Sequence, residues 1–180
     1  MVQLQNGRFL YNWLGLGEPY PRYRTVKPEF EALYAEFRRF IHEEELGTLT
    51  ENQWEVTYVN RIQQGDLWSS VSDWGNVFLP VSATPVSAGG ASLWSTNGEI
   101  TYDIEQELGR LRVRYQHARK SVNEGPEILV INLTARGPVG KPESACKSAI
   151  DGLDIGRKVI VQGFYDLTSN RAHELWGEIL

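Results

Sequence analysis

Chemistry in this chain would have to start from three histidines, one cysteine and the carboxylates near them. His42 stands beside Glu43, Glu44 and Glu45 at what reads as a helix end. A metal site there needs ligands converging from elsewhere, and a solvated polar helix end is the plainer reading. His117 alternates in phase with Tyr115 and Val113, toward the apolar face of a strand, where partial burial with a hydrogen bond is expected ahead of catalysis. His173 and Glu174 are adjacent, and neighbours at i, i+1 do not share a helix face, so the spacing makes no acid–base dyad. Cys146 lies next to Lys147 near a helix start, where a thiol pKa can fall. Unaccompanied, it reads as packed filler. Asp151 and Asp154 form an i, i+3 pair that could imitate paired carboxylates, but with Asp166 they read as a solvated helix face. No His-Glu-x-x-His, Gly-x-Ser-x-Gly or phosphate-loop pattern occurs. The expectation is therefore no catalytic residue, no metal and no cofactor.

Recognition chemistry has better candidates. Trp68, Trp74 and Trp94 lie in or beside an irregular stretch where neither strand nor helix dictates them. One reading is a ligand or partner surface, since aromatic anchors dominate both; the other is a minor core beneath a long loop.

Composition narrows the classes. With 180 residues, 41% hydrophobic and 23% charged, the chain has the length for one domain, 1–180, with a full core. Eight Tyr, six Trp and six Phe supply much apolar area for it. A net charge of −5, with no basic patch interleaved with aromatics, argues against a nucleic-acid partner. A single cysteine excludes an internal disulfide and a cysteine-based zinc site. There is no charged-then-apolar leader, and apolar runs fall far short of the ~20 residues that span a bilayer, so a cytoplasmic protein with no membrane partner is expected. Asn132-Leu-Thr134 matches a glycosylation acceptor but falls inside an expected strand, where chance explains it.

The elements that would position these residues can be read in order. Asn6-Gly7 predicts a hairpin turn between Val2–Gln5 and Arg8–Leu14, and apolar groups on both faces of the second strand place it inside a sheet. A loop with two prolines follows, 15–23. Phe30, Leu33, Tyr34, Phe37, Phe40 and Ile41 recur at three- and four-residue steps, predicting a helix over 27–45 with Pro28 in its first turn. Trp54 to Ile62 alternates with a period of two and predicts a strand. The stretch 63–90 is irregular, with a short helical turn near 66–74. Asn97-Gly98 reads as a second hairpin turn and Leu108-Gly109 as a third, which would pair Glu107 with Arg110, Glu105 with Arg112 and Asp103 with Arg114 on one face. That face reads as solvated ion pairs. Residues 127–135 are almost continuously apolar and predict a central strand. A long helix over 143–167 carries Gly152, Gly156 and Gly163, which cost roughly 1 kcal/mol each inside a helix. Close approach of that helix to the sheet, with Gly156 and Gly163 on the packed side, would be the return. Thr168 or Ser169 would cap a last short helix with Ala172, Leu175 and Trp176 inward.

Several of these segments together resemble a family of sporadically distributed prokaryotic proteins whose function is not established. They are Val2 to Trp13, Tyr20-Pro-Arg-Tyr23, Glu55 to Asn60, Gly163-Phe-Tyr-Asp-Leu-Thr168 and His173-Glu-Leu-Trp-Gly177. The resemblance implies a cytoplasmic protein and assigns no catalytic residue. It also implies that family members carry an N-terminal segment ahead of Val2 that this chain lacks; if that segment is a strand, one sheet edge would be open to a partner.

The expected fold is α+β: a mostly antiparallel sheet of about six or seven strands with two main helices on one face, in its most attractive form gripping the long C-terminal helix. The expected function is a non-catalytic binding or protein-interaction module, its partner an unknown protein or small molecule. Two alternatives stand beside it. One is a small enzyme with a non-standard site in a sheet–helix cavity lined by Tyr115 and His117. The other is a structural subunit of a homo-oligomer or of a defence-type complex.

Overall fold

The computed structural model describes residues 1–5, 7–13, 21–81, 90–119, 125–140 and 146–177. The fold is α+β, and its strands pair antiparallel. The chain divides into two compact units, Met1–Thr50 and Glu51–Leu180.

In the first unit, β1 (Val2–Gln5) and β2 (Arg8–Tyr11) make a two-stranded hairpin. Gln5 faces Arg8 across a two-residue loop whose Gly7 sits at φ 74°, a left-handed backbone that glycine adopts without a Cβ penalty. The two-sided apolar pattern of β2 predicts a strand interior to a sheet, but among the described residues β2 pairs with β1 alone. Its apolar side is used by a helix instead. Phe9 meets Phe30, Tyr34 and Phe37 of α1 (Tyr23–Glu43) with ring centroids 5.6, 5.3 and 5.2 Å away, and Tyr11 hydrogen-bonds Glu29. The helix starts earlier than the first-turn preference of proline suggests, so Pro28 lies within it. His42 is an exposed residue of its last turn. The two-proline loop expected before the helix falls largely outside the described residues.

In the second unit, β3 (Gln53–Gln63), β4 (Asn97–Ile104), β5 (Gly109–Arg119) and β6 (Glu127–Pro138) form one sheet in the order β3-β6-β5-β4. The near-continuous apolar run of β6 does lie centrally, between β3 and β5. Among the described residues the strands thus divide into a sheet of two and a sheet of four, in place of one larger sheet.

Register fixes two faces. One carries Trp54, Val56, Tyr58 and Ile62 of β3, Leu129, Ile131, Leu133 and Ala135 of β6, and Leu111, Val113, Tyr115 and His117 of β5. α2 (Ala149–Leu167) packs on that face, and its glycines explain how closely. The Trp54 indole fills the space a Cβ on Gly152 would need; a Cβ on Gly156 would stand 2.8 Å from the same ring, and one on Gly163 2.9 Å from Leu111 Cδ2. The helix begins at Ala149, later than expected, because Ser148 caps it: its hydroxyl accepts from the Asp151 N–H, and the Asp151 carboxylate accepts from the Ser148 N–H at 3.1 Å. Asp151 is therefore a capping group. Pro142 lies outside the described residues. Cys146 precedes the cap, buried at 1% exposure, and burial pushes its thiol pKa up, the reverse of an activated thiol.

Two hairpin turns fall elsewhere than expected. Asn97 and Gly98 belong to β4, where Gly98 faces Tyr115 and leaves room for its ring. The β4–β5 turn has Gln106 and Glu107 at φ 60° and 58°, and Asp103 faces Arg110. Gly109 instead allows β5 to approach Arg136 and Gly137 of β6, a contact that any Cβ would break. The register moves while the faces keep their composition.

A 3-10 turn, Val71–Asn76, lies within the expected irregular stretch. The Asp73 carboxylate holds its start by accepting from Ser69 Oγ (2.8 Å), Ser69 N (3.0 Å) and Ser70 N (2.8 Å), which lowers its pKa to about 2. α3 (Asn170–Trp176) is capped by Ser169, and the junction between α2 and α3 is tied to this turn through Leu79 N–H to Leu167 O and Ser169 N–H to Val77 O. Leu175 is exposed, not inward; Ala172 and His173 take the buried positions.

Alanine is the better helix former by about 1 kcal/mol, so Gly152→Ala on a solvated helix would stabilise. Against the Trp54 indole we expect a loss of about 1–3 kcal/mol from overpacking, seen as a lower urea midpoint with an unchanged slope.

Candidate functional site

The residues singled out by sequence converge more than their spacing suggests, but not as an open site. Trp74 is fully buried and Trp68 is 2% exposed, and their rings meet edge to face at 5.8 Å. Both are core, where a partner does not reach them. Trp74 also meets His117 at 5.7 Å. His117 Nε2 lies 3.2 Å from Glu127 Oε2, outside hydrogen-bonding geometry, so this is an ion pair whenever the imidazole is protonated. Glu127 in turn pairs with Arg119 at 3.1 Å, and Arg119 lies 4.9 Å over the ring of Trp94. Trp94 is 72% exposed. A continuous chain of contacts therefore runs from an exposed indole through two charged groups to a buried aromatic pair.

Tyr115 belongs to a different contact. Its ring tilts against Phe78 at 5.5 Å and lies over Gly98. Neither of the two hollows described below is lined by Tyr115 or His117. His173 is also structural: Thr168 Oγ donates to Phe164 O at 2.7 Å, so the 2.7 Å contact between that hydroxyl and His173 Nε2 makes Nε2 the donor. The imidazole stacks on Tyr165 at 4.2 Å. Among the described residues no three His, Cys, Asp or Glu side chains gather to hold a metal ion.

The arrangement with recognition chemistry is on the other face of the four-stranded sheet. Register places Arg110, Arg112 and Arg114 of β5 beside Arg136, Thr134 and Asn132 of β6, with Glu55, Thr57 and Val59 of β3 on one side and Asp103, Thr101 and Glu99 of β4 on the other. The side chains from β3, β5 and β6 line a hollow of about 860 Å³, together with Asn52, Gln53, Gly109, Gly137 and Pro138. A smaller hollow of about 320 Å³ lies elsewhere, between residues 61–67 and the end of α3. The four guanidinium side chains range from 48% to 74% exposed. Their acids stand at the margins. Arg110 pairs with Asp103 at 3.2 Å and Arg136 with Glu55 at 3.8 Å; Arg112 and Arg114 divide Glu99, the first at 3.2 Å. The hydrogen bond from Arg114 holds the Glu99 carboxyl below its ordinary pKa. On the floor, the Thr57 and Thr134 hydroxyls are 2.9 Å apart, and the shielded Oδ1 of Asn132 has no hydrogen-bond partner. Toward the far end of the strands the same face closes over Ile128 and Val130, which are buried.

The sequence pattern presents these arginines as solvated ion pairs, and nothing local in it shows that β6 adds Arg136 or that two guanidinia share one carboxylate. Alternation of Arg at 110, 112 and 114 was the signal; the pairing of β5 with β6, far apart in sequence, was not in it.

No protein family, curated protein or solved structure matches this chain.

Replacing Trp74 or Trp68 by alanine is expected to cost about 3–5 kcal/mol, as for other large buried aromatics, whereas Trp94→Ala stays within about 0.5 kcal/mol. Thermal melts of the three variants check this ordering.

Proposed function

We propose that this chain is a non-catalytic binding module, in the cytoplasmic setting expected from its sequence, which docks a protein partner on the open face of its four-stranded sheet. The supporting observation is the exposed guanidinium group of Arg110, Arg112, Arg114 and Arg136 around a hollow of about 860 Å³. The opposite face of the sheet carries α2. A sheet backed by a closely seated helix holds its other face rigid, and a rigid platform loses little conformational entropy when a partner arrives. The ion pairs already on the face are exposed, so each is weak and exchanges readily for a partner's groups. Trp94, exposed beside Arg119 and apart from the hollow, is an aromatic contact available to a partner. Among the described residues no helix is long and apolar enough to cross a membrane.

The test is a paired capture experiment. Wild-type chain and the R110Q/R112Q/R114Q variant, matched for melting temperature, are used as bait at low salt, and bound proteins are identified by mass spectrometry. The proposal expects a protein retained by the wild type and depleted at least about tenfold by the variant, the scale of losing several charge contacts at an interface. Equal retention by both baits removes this face from the function.

A further inference from the structure

Building on that reading of the open face, we propose that its ligand is an acidic polypeptide segment bound in extended form along β5. Three observations carry this. First, Arg110, Arg112 and Arg114 project from one face of one strand at alternate positions, a repeat of about 6.8 Å. An extended chain with Asp or Glu at alternate positions repeats its carboxylates at the same distance, so three charge-assisted pairs form in register along about 14 Å of strand. Second, the carboxylates already present stand on the two edge strands of the sheet, Asp103 and Glu99 on β4 beside β5 and Glu55 on β3 beyond β6. They bound the guanidinium strip on both sides and favour a ligand running along β5 over one crossing the strands. Third, the hollow opens to solvent, with exposed Val59 beside the charged strip. That suits side chains of mixed character better than a small metabolite, which needs a deep enclosing cleft.

A nucleic-acid strand is the competing polyanion, and the face fits it less well. No aromatic residue lies among the residues that line the hollow, so bases find no stacking platform. The chain as a whole carries −5, which opposes a long run of phosphates.

Glu99 is the competitor built into the site. It occupies Arg112 and Arg114 together, and a partner's carboxylates must displace it. Removing its charge by Glu99→Gln frees both guanidinia, so this variant binds the ligand more tightly. A substitution that merely damaged the fold would not produce a gain.

The experiment titrates the full chain with a fluorescein-labelled alternating Glu-Thr peptide of about ten residues, its Gln-Thr counterpart, and a labelled oligothymidylate, read by fluorescence anisotropy. The expected result has four parts: binding of the Glu-Thr peptide alone; weakening as salt screens the charges; at least about tenfold loss in R110Q/R112Q/R114Q; and a severalfold gain in E99Q. Binding of oligothymidylate with the same arginine dependence, in place of the peptide, overturns the ligand class but leaves the docking face standing. Peptide binding that neither the triple substitution nor E99Q alters overturns the site itself. No binding of either probe by a chain that still captures a protein through these arginines overturns the extended acidic ligand alone.

Discussion

The Trp54 indole lies against the backbone of α2, and the second unit depends on that contact. Only glycine at 152 and 156 lets the helix come so close to β3, and Gly137 across the strand pair makes room for the same ring. A large flat side chain pressed on a helix with no Cβ atoms in the way gains dense van der Waals contact over its whole surface. The helix loses roughly 1 kcal/mol of propensity at each glycine, and burial of an aromatic of that size offsets it. Because the contact decides which face of the sheet is covered, it also decides which face is presented. Leu111, Val113, Tyr115 and His117 turn toward α2, and Arg110, Arg112 and Arg114 turn away.

The presented face then follows from alternation. A strand that buries every second residue leaves the others on the opposite side at fixed spacing, and β5 fills those positions with arginine. Arginine suits such a surface because its guanidinium stays charged and offers several donors in one plane. Glu99, shared between two guanidinia, offsets part of the strip's charge without neutralising it. The chain of contacts through Trp94, Arg119, Glu127 and His117 lies at the opposite ends of β5 and β6 and ties an exposed indole to the buried Trp74 and Trp68. It anchors the irregular segment to the sheet, with the 3-10 turn held by Asp73 nearby in sequence.

How much of this could be read from residues alone divides along local and non-local lines. The alternation of Trp54 to Ile62, the apolar run of β6 and the hairpin of β1 and β2 depend on near neighbours, and each was legible. The close approach predicted from Gly156 and Gly163 was legible too, because glycines inside an amphipathic helix need a packing reason. The β4–β5 register was not: Leu108-Gly109 and Asn97-Gly98 both carry turn chemistry, and what excludes them is distant, the ring of Tyr115 over Gly98 and the backbone of β6 against Gly109. The two-sided apolar pattern of β2 misled for a similar reason, since Phe9 serves the aromatic stripe of α1. Trp68 and Trp74 were ambiguous between surface and core because irregular backbone gives no periodicity to choose by.

The central claim is the division of β5 into a covered and a presented side, and single cysteine substitutions read it residue by residue. Cys146, 1% exposed, is the protected reference already in the chain. Thiol labelling under native conditions should modify a cysteine at position 112 at once, in Arg112→Cys, and leave one at position 113, in Val113→Cys, as protected as Cys146. Equal labelling at both positions, or protection of 112 with exposure of 113, would contradict the account.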